Sequence, residues 1–215
     1  MDQEMRYTTW VNPNIKKFED AALSAFAFLS SYGFRHCGSR LLIPQFQVYF
    51  RNNTTEVTLF YEIGSSPEAL LGRLEIVDGK EYDVEYYSLG FLLAERAPHE
   101  EWEYPCELND PGLPAAIERQ AVLVERYAKD VLEGDFSIFP KLKLLGNQAF
   151  LVSSFRFLER YGFALFSTEI LPANVIVRFR SETVEVKIHY KLGRPPRVEI
   201  GRLASVDGQK KTVES

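Results

Sequence analysis

Residues 26–79 and 155–208 of this 215-residue chain carry one pattern at a constant offset of 129, with 22 of 54 positions identical and no gap. Average amino-acid usage would give about three identities over that length. Phe26, Phe28, Leu29, Tyr32, Gly33 and Phe34 recur as Phe155, Phe157, Leu158, Tyr161, Gly162 and Phe163. Phe50, Arg51, Thr54, Glu56, Val57 and Tyr61 recur as Phe179, Arg180, Thr183, Glu185, Val186 and Tyr190. Gly72-Arg73-Leu74 and Asp78-Gly79 recur as Gly201-Arg202-Leu203 and Asp207-Gly208. A repeat of this kind is one supersecondary unit used twice. The chain therefore reads as two related units rather than one large domain.

Within the first copy, Phe18, Ala22, Ala25, Phe26 and Leu29 recur at steps of three and four, which predicts an amphipathic helix over Lys17 to Ser31. Gly33 follows as its stop, where a left-handed backbone costs glycine little. Phe150, Val152, Phe155 and Leu158 before Gly162 predict the same in the second copy. Alternation then takes over. Phe46, Val48 and Phe50 share one face, Asn52 to Thr55 make a turn, and Val57, Leu59 and Tyr61 return. The second copy reads Val175, Val177 and Phe179, a turn over Ser181 to Val184, then Val186, Ile188 and Tyr190. A third short strand, Ala69 to Val77 or Val198 to Val206, ends in an Asp-Gly turn. A hairpin with one apolar face is marginal alone and must be covered, most simply by the preceding helix.

Between the copies, Tyr82, Val84, Tyr86 and Leu89 predict a strand first and then a helix. Pro98, Pro105, Pro111 and Gly112 mark a loop. Pro114 opens a long helix through Ile117, Val124, Tyr127, Val131 and Leu132 that Gly134 ends. Phe136 to Leu145 is left open, because Pro140 breaks a simple continuous helix. The expected fold class is α+β: two related units, each a helix packed on a small antiparallel β-sheet, joined by a long helix. Residues 1–96 form the first unit, 97–145 the acidic loop and connecting helix, and 146–215 the second unit. Like surfaces meeting about an axis suggest a pseudo-two-fold pairing.

A hydrophobic fraction of 46% is ample for packed cores. Cys37 and Cys106 are too few for a disulfide framework and suit a reducing cytoplasm. Met1-Asp2-Gln3-Glu4 has neither the basic nor the apolar region of a signal peptide. No apolar run is long enough to span a bilayer, so no membrane is expected. There is no phosphate-binding loop and no dinucleotide fingerprint. His36, His99 and His189 form no metal-ligand spacing with Cys37 or Cys106, so neither a metal nor a cofactor is expected. His36-Cys37 neighbours would point to opposite faces of a strand.

Charge is uneven. Residues 75–110 hold eleven acidic and two basic side chains, a net of −9. That stretch also carries Tyr82, Tyr86, Tyr87, Phe91, Trp102 and Tyr104. Carboxylates beside aromatics suit docking on a basic protein surface, the charges steering association and the rings anchoring it. The plainer account is a solvated acidic face over core aromatics. The candidate contacts are Glu100, Glu101, Trp102, Glu103 and Tyr104. Arg178 to Lys211 holds nine basic and four acidic residues. Arg178, Arg180, Lys187 and Lys191 lie on the outward face of a hairpin without any nucleic-acid-binding motif, and nucleic acid is not the expected partner. Arg51 with Glu56, and Arg180 with Glu185, read as directly opposed cross-strand ion pairs, worth about 0.2–1 kcal/mol if exposed. Gly72 and Gly201 read as close-packing or bulge positions.

The run Phe155-Arg-Phe-Leu-Glu-Arg-Tyr-Gly-Phe163, with Val177-Arg-Phe-Arg180 and Val184-Glu-Val186, resembles a class of small bacterial proteins. So does Leu123-Val-Glu-Arg-Tyr-Ala-Lys-Asp-Val-Leu-Glu-Gly-Asp-Phe136. Several of that class serve as immunity proteins against toxins delivered between bacteria. Their form is single-copy, from which the tandem arrangement here departs. The resemblance implies no catalytic residue. Taken with the charge pattern, the expected function is a cytoplasmic, non-enzymatic binding module, in its specific form an immunity protein that occludes a basic toxin with the acidic-aromatic segment. The alternative is a small-molecule-binding protein or enzyme with its site in a cleft between the two repeats.

Overall fold

The computed structural model describes residues 13–42, 44–77, 80–171, 174–191, 194–206 and 209–213. The chain divides into two compact units, Met1–Phe136 and Ser137–Ser215. Both mix helices with antiparallel sheet.

The first unit opens with helix α1 (Pro13–Ala25), which tightens into a 3-10 helix over Ala27–Tyr32 and stops at Gly33 with φ of 77°. Five strands follow as a meander: β1 (Arg35–Leu42), β2 (Gln45–Arg51), β3 (Thr55–Glu62), β4 (Glu68–Val77) and β5 (Lys80–Ser88). Helices α2 (Leu89–Arg96), α3 (Leu113–Tyr127) and α4 (Lys129–Leu132) complete it. Strand alternation does what the pattern demands: Phe46, Val48 and Phe50 are buried on β2 and stand opposite Tyr61, Leu59 and Val57 of β3. The helical stripe meets them. Phe26 stacks on Phe50 at 5.5 Å between ring centroids, and Phe18 lies 5.6 Å from Tyr61. Each such side chain contributes about 1.5–3 kcal/mol when fully buried. Helix α3 packs against α1 and β4, and α2 against β4 and β5. Ala69 and Leu71 of β4 are fully buried.

The second unit begins with α5 (Phe139–Ser154), a 3-10 helix over Arg156–Tyr161 and Gly162 with φ of 80°. Its strands are β6 (Ala164–Leu171), β7 (Asn174–Arg180), β8 (Val184–Lys191), β9 (Arg197–Val206) and β10 (Gln209–Val213), again in sequential antiparallel order. From the end of α5 to the end of β9, every element bound lies 129 residues beyond a bound in the first unit. The irregularity between His36 and Gly38 likewise has a counterpart between Leu165 and Ser167. Leu144 and Leu151 of α5 pack with Val175, Val177, Phe179, Val186 and Ile188.

Several expectations are corrected. The sheets have five strands instead of three, because β1 and β6 add one edge that their mixed sequences did not announce and β5 and β10 add the other. The helix expected over Lys17 to Ser31 ends as a 3-10 helix. In the second unit, Phe150 is 67% exposed, and Leu144 and Leu151 supply the buried stripe. The long helix expected from Pro114 to Leu132 is interrupted at Ala128, and both pieces belong to the first unit. Pro140 opens α5 instead of breaking a helix, since its missing N–H costs nothing in a first turn. Asp78-Gly79 and Asp207-Gly208 lie outside the described residues. The strands flanking each pair join Val77 to Lys80 and Val206 to Gln209.

Candidate functional site

The acidic-aromatic segment, residues 97–112, has little regular structure of its own, yet its backbone is tied down along its length. Ser88 caps α2, its hydroxyl accepting from the Gly90 N–H at 2.9 Å. Trp102 then lies over Gly90 so closely that a Cβ there would stand 2.4 Å from the indole Cζ2. Only glycine permits that approach. Gln120 of α3, 1% exposed, donates to the Trp102 carbonyl at 2.8 Å and accepts from the Ala69 N–H at 3.1 Å. One buried amide thus ties the segment to α3 and to the start of β4. Further along, the Tyr61 hydroxyl donates to the Cys106 carbonyl at 2.8 Å, and the Cys106 N–H to Ser65 at 3.2 Å. Satisfying buried backbone groups in this way is what lets an irregular segment hold one conformation.

The five expected contact residues take different places. Glu100 turns inward: its side chain is 13% exposed and accepts from Tyr127 at 2.8 Å, from Arg126 at 3.3 Å and from Arg119. The Tyr127 hydrogen bond, followed by the Arg119 and Arg126 guanidiniums, holds the Glu100 carboxyl below the ordinary glutamate range. Trp102 is half-buried, while Glu101, Glu103 and Tyr104 are exposed. Glu103 also acts at a distance. Burial raises the carboxyl of Glu68, and the Glu103 charge pushes it the same way, against a hydrogen bond from Ser88.

Beside the exposed residues runs an open groove of about 460 Å³ lined by Tyr104, Pro105, Cys106, Asp110, Ala116 and Arg119. Burial, then Asp110 and Glu107, raise the Cys106 thiol pKa, so the reactive thiolate is disfavoured. The Arg119 Nε–H is buried and has no hydrogen-bond partner among the described residues. Asp110, Arg119 and Gln120 were not legible as site residues, because single polar residues in a loop and on a helix carry no local signature.

Arg51 and Glu56 stand directly opposite each other across β2 and β3 as expected, but Glu56 is buried. Arg51, Glu56, Gly72 and Tyr86 form one row across β2, β3, β4 and β5. The Tyr86 ring crosses Gly72, where a Cβ would lie 2.3 Å from it, and its hydroxyl reaches Glu56 at 2.9 Å. Thr58 donates to the same carboxylate at 2.6 Å, and Glu56 is 1% exposed. Gly72 is therefore the close-packing position its isolation implied. In the second unit Arg180 donates to Glu185 at 2.6 Å and stacks 3.5 Å from the Phe166 ring. Both rows fasten strands together.

Among the described residues, no three His, Cys, Asp or Glu side chains gather as a metal site, and no helix is long and apolar enough to cross a membrane. Compared with models of known families, with characterised proteins and with solved structures, the chain matches none.

Proposed function

We propose that this chain is a cytoplasmic, non-enzymatic protein-binding module, built by tandem duplication of one α+β unit, that docks its acidic-aromatic segment on a basic protein surface. The observation that carries the reading is the fixed backbone of residues 97–112, which presents Glu101, Glu103 and Tyr104 to solvent without a conformational search. A pre-ordered segment loses less entropy on binding, and its carboxylates accelerate encounter with a cationic partner. The first unit has a net charge of −11, from twelve basic and twenty-three acidic residues. In its specific form, following the resemblance above, the module is an immunity protein that occludes a basic toxin such as a nuclease.

A pull-down from the bacterium of origin at low and high salt, read by mass spectrometry, tests this. The expected outcome is a stoichiometric basic partner that is lost at high salt. Its affinity falls at least about tenfold in E101K/E103K with folding intact. E100K instead lowers stability, since it breaks the contacts to Arg119, Arg126 and Tyr127. A partner that binds E101K/E103K as tightly as the unaltered protein refutes the proposed face.

A further inference from the structure

In the first unit, α3 lies in a groove between α1 and β4. Ala21, Ala25 and Phe28 border it on the α1 side, and Leu71 and Ala69 form its floor on the inner face of β4. Register shows that floor directly: Val57 stands opposite Leu71 and Leu59 opposite Ala69. The same pairs occur in the second unit as Val186 with Ile200 and Ile188 with Val198. Paired residues of an antiparallel sheet share a face, so Ile200 and Val198 continue the face whose Val186 and Ile188 pack on α5. Yet Ile200 is 72% and Val198 45% exposed. The flank is bare too. Phe150 and Phe157, which stand where the first copy has Ala21 and Phe28, are 67% and 51% exposed. Both sides of the groove are thus more apolar than a lone solvated surface requires.

We propose that this groove of the second unit receives an amphipathic helix of a partner protein, with an acidic flank, seated as α3 is seated in the first unit. The inference rests on the duplication reading, which makes α3 the template for the occupant. Helix-in-groove recognition takes apolar residues at steps of three and four, and α3 buries Leu113, Ile117, Gln120, Ala121 and Val124 in that rhythm. The acidic flank follows from charge. The second unit carries thirteen basic and seven acidic residues, a net of +6. Arg202 follows Ile200 along the inner face, opposite Val184, and is exposed. Arg156, beside Phe157, is 76% exposed at its side chain and pairs at 3.5 Å with the exposed Glu159. A second copy of the same unit would bring +6 against +6, which disfavours self-association.

The test titrates the full-length protein into a fluorescein-labelled synthetic peptide with the α3 sequence, 113–127, carrying R119E and R126E, and reads anisotropy at low and high salt. The expected result is saturable binding that weakens with salt. It drops at least about tenfold in I200E and separately in F150E. Both altered positions are exposed and on different elements, and circular dichroism checks that each variant folds. Absence of saturable binding, or binding indifferent to both substitutions, overturns the proposal. So does a concentration-dependent dimer that I200E abolishes, which would seat a second copy in the groove. A chimera with residues 45–62 in place of 174–191 separates the two levels. Loss of its fold counts against the duplication and the groove with it, whereas a folded chimera beside an unbound peptide counts against the groove alone.

Discussion

Replacing Glu56 by Gln is expected to loosen four strands at once. The carboxylate is 1% exposed and accepts from Arg51, from Thr58 at 2.6 Å and from Tyr86 at 2.9 Å. A hydrogen bond to a charged group contributes about 1.5–3 kcal/mol and one between neutral groups about 0.5–1.5. Each of the three bonds weakens by roughly 1 kcal/mol, and one oxygen becomes an amide NH2 group that donates and cannot accept. Arg51 is a quarter exposed, so water recovers part of its loss. The net is about 2–3 kcal/mol, which for a unit of this size lowers Tm by roughly 6–12 °C. Scanning calorimetry reads the change, and a double-mutant cycle with Y86F measures the coupling across Gly72. A Glu56→Gln protein within about 0.5 kcal/mol of the parent, or additive with Y86F, would refute the claim that this carboxylate fastens the row. Glu185→Gln, whose Arg180 partner is also held on the Phe166 ring, is expected to cost only about 1–2 kcal/mol.

Leu71→Ala, at a fully buried position, is expected to cost about 2–5 kcal/mol. Ile200→Ala, at 72% exposure, should stay within about 0.5 kcal/mol; urea titration of both decides whether the second sheet is bare in solution. Gly33→Ala and Gly162→Ala meet no atom within 4 Å, so each should cost about 1–2 kcal/mol from the left-handed backbone alone, again by urea titration. Burial raises the Glu68 carboxyl, so the folded chain holds its proton to higher pH than the unfolded one. Stability therefore falls as pH rises from the ordinary 4.5 through the raised value, and E68Q should flatten that part of the urea-midpoint profile. A profile unchanged by E68Q would show that Glu68 titrates alike in both states.

The sequence by itself determined what is local and periodic. Alternation placed Phe46, Val48 and Phe50 on the buried face of β2 because a strand can show its residues only two ways. Gly33 and Gly162 were legible as stops because few residues adopt a positive φ without strain. The offset of 129 reappears in the element bounds, but the 3-10 helices and the strands β1 and β6 came only from the structure. Tertiary structure decided everything that depends on cover. Leu71 and Ile200 occupy matching positions and match in hydrophobicity, yet one is sealed by distant helices and the other faces solvent. Glu100 and Glu101 are adjacent and identical in type, but the three donors that claim Glu100 stand 19 to 27 residues further along the chain. Burial and charge pairing are properties of what arrives from elsewhere in the chain, and no window of sequence contains the neighbours that set them.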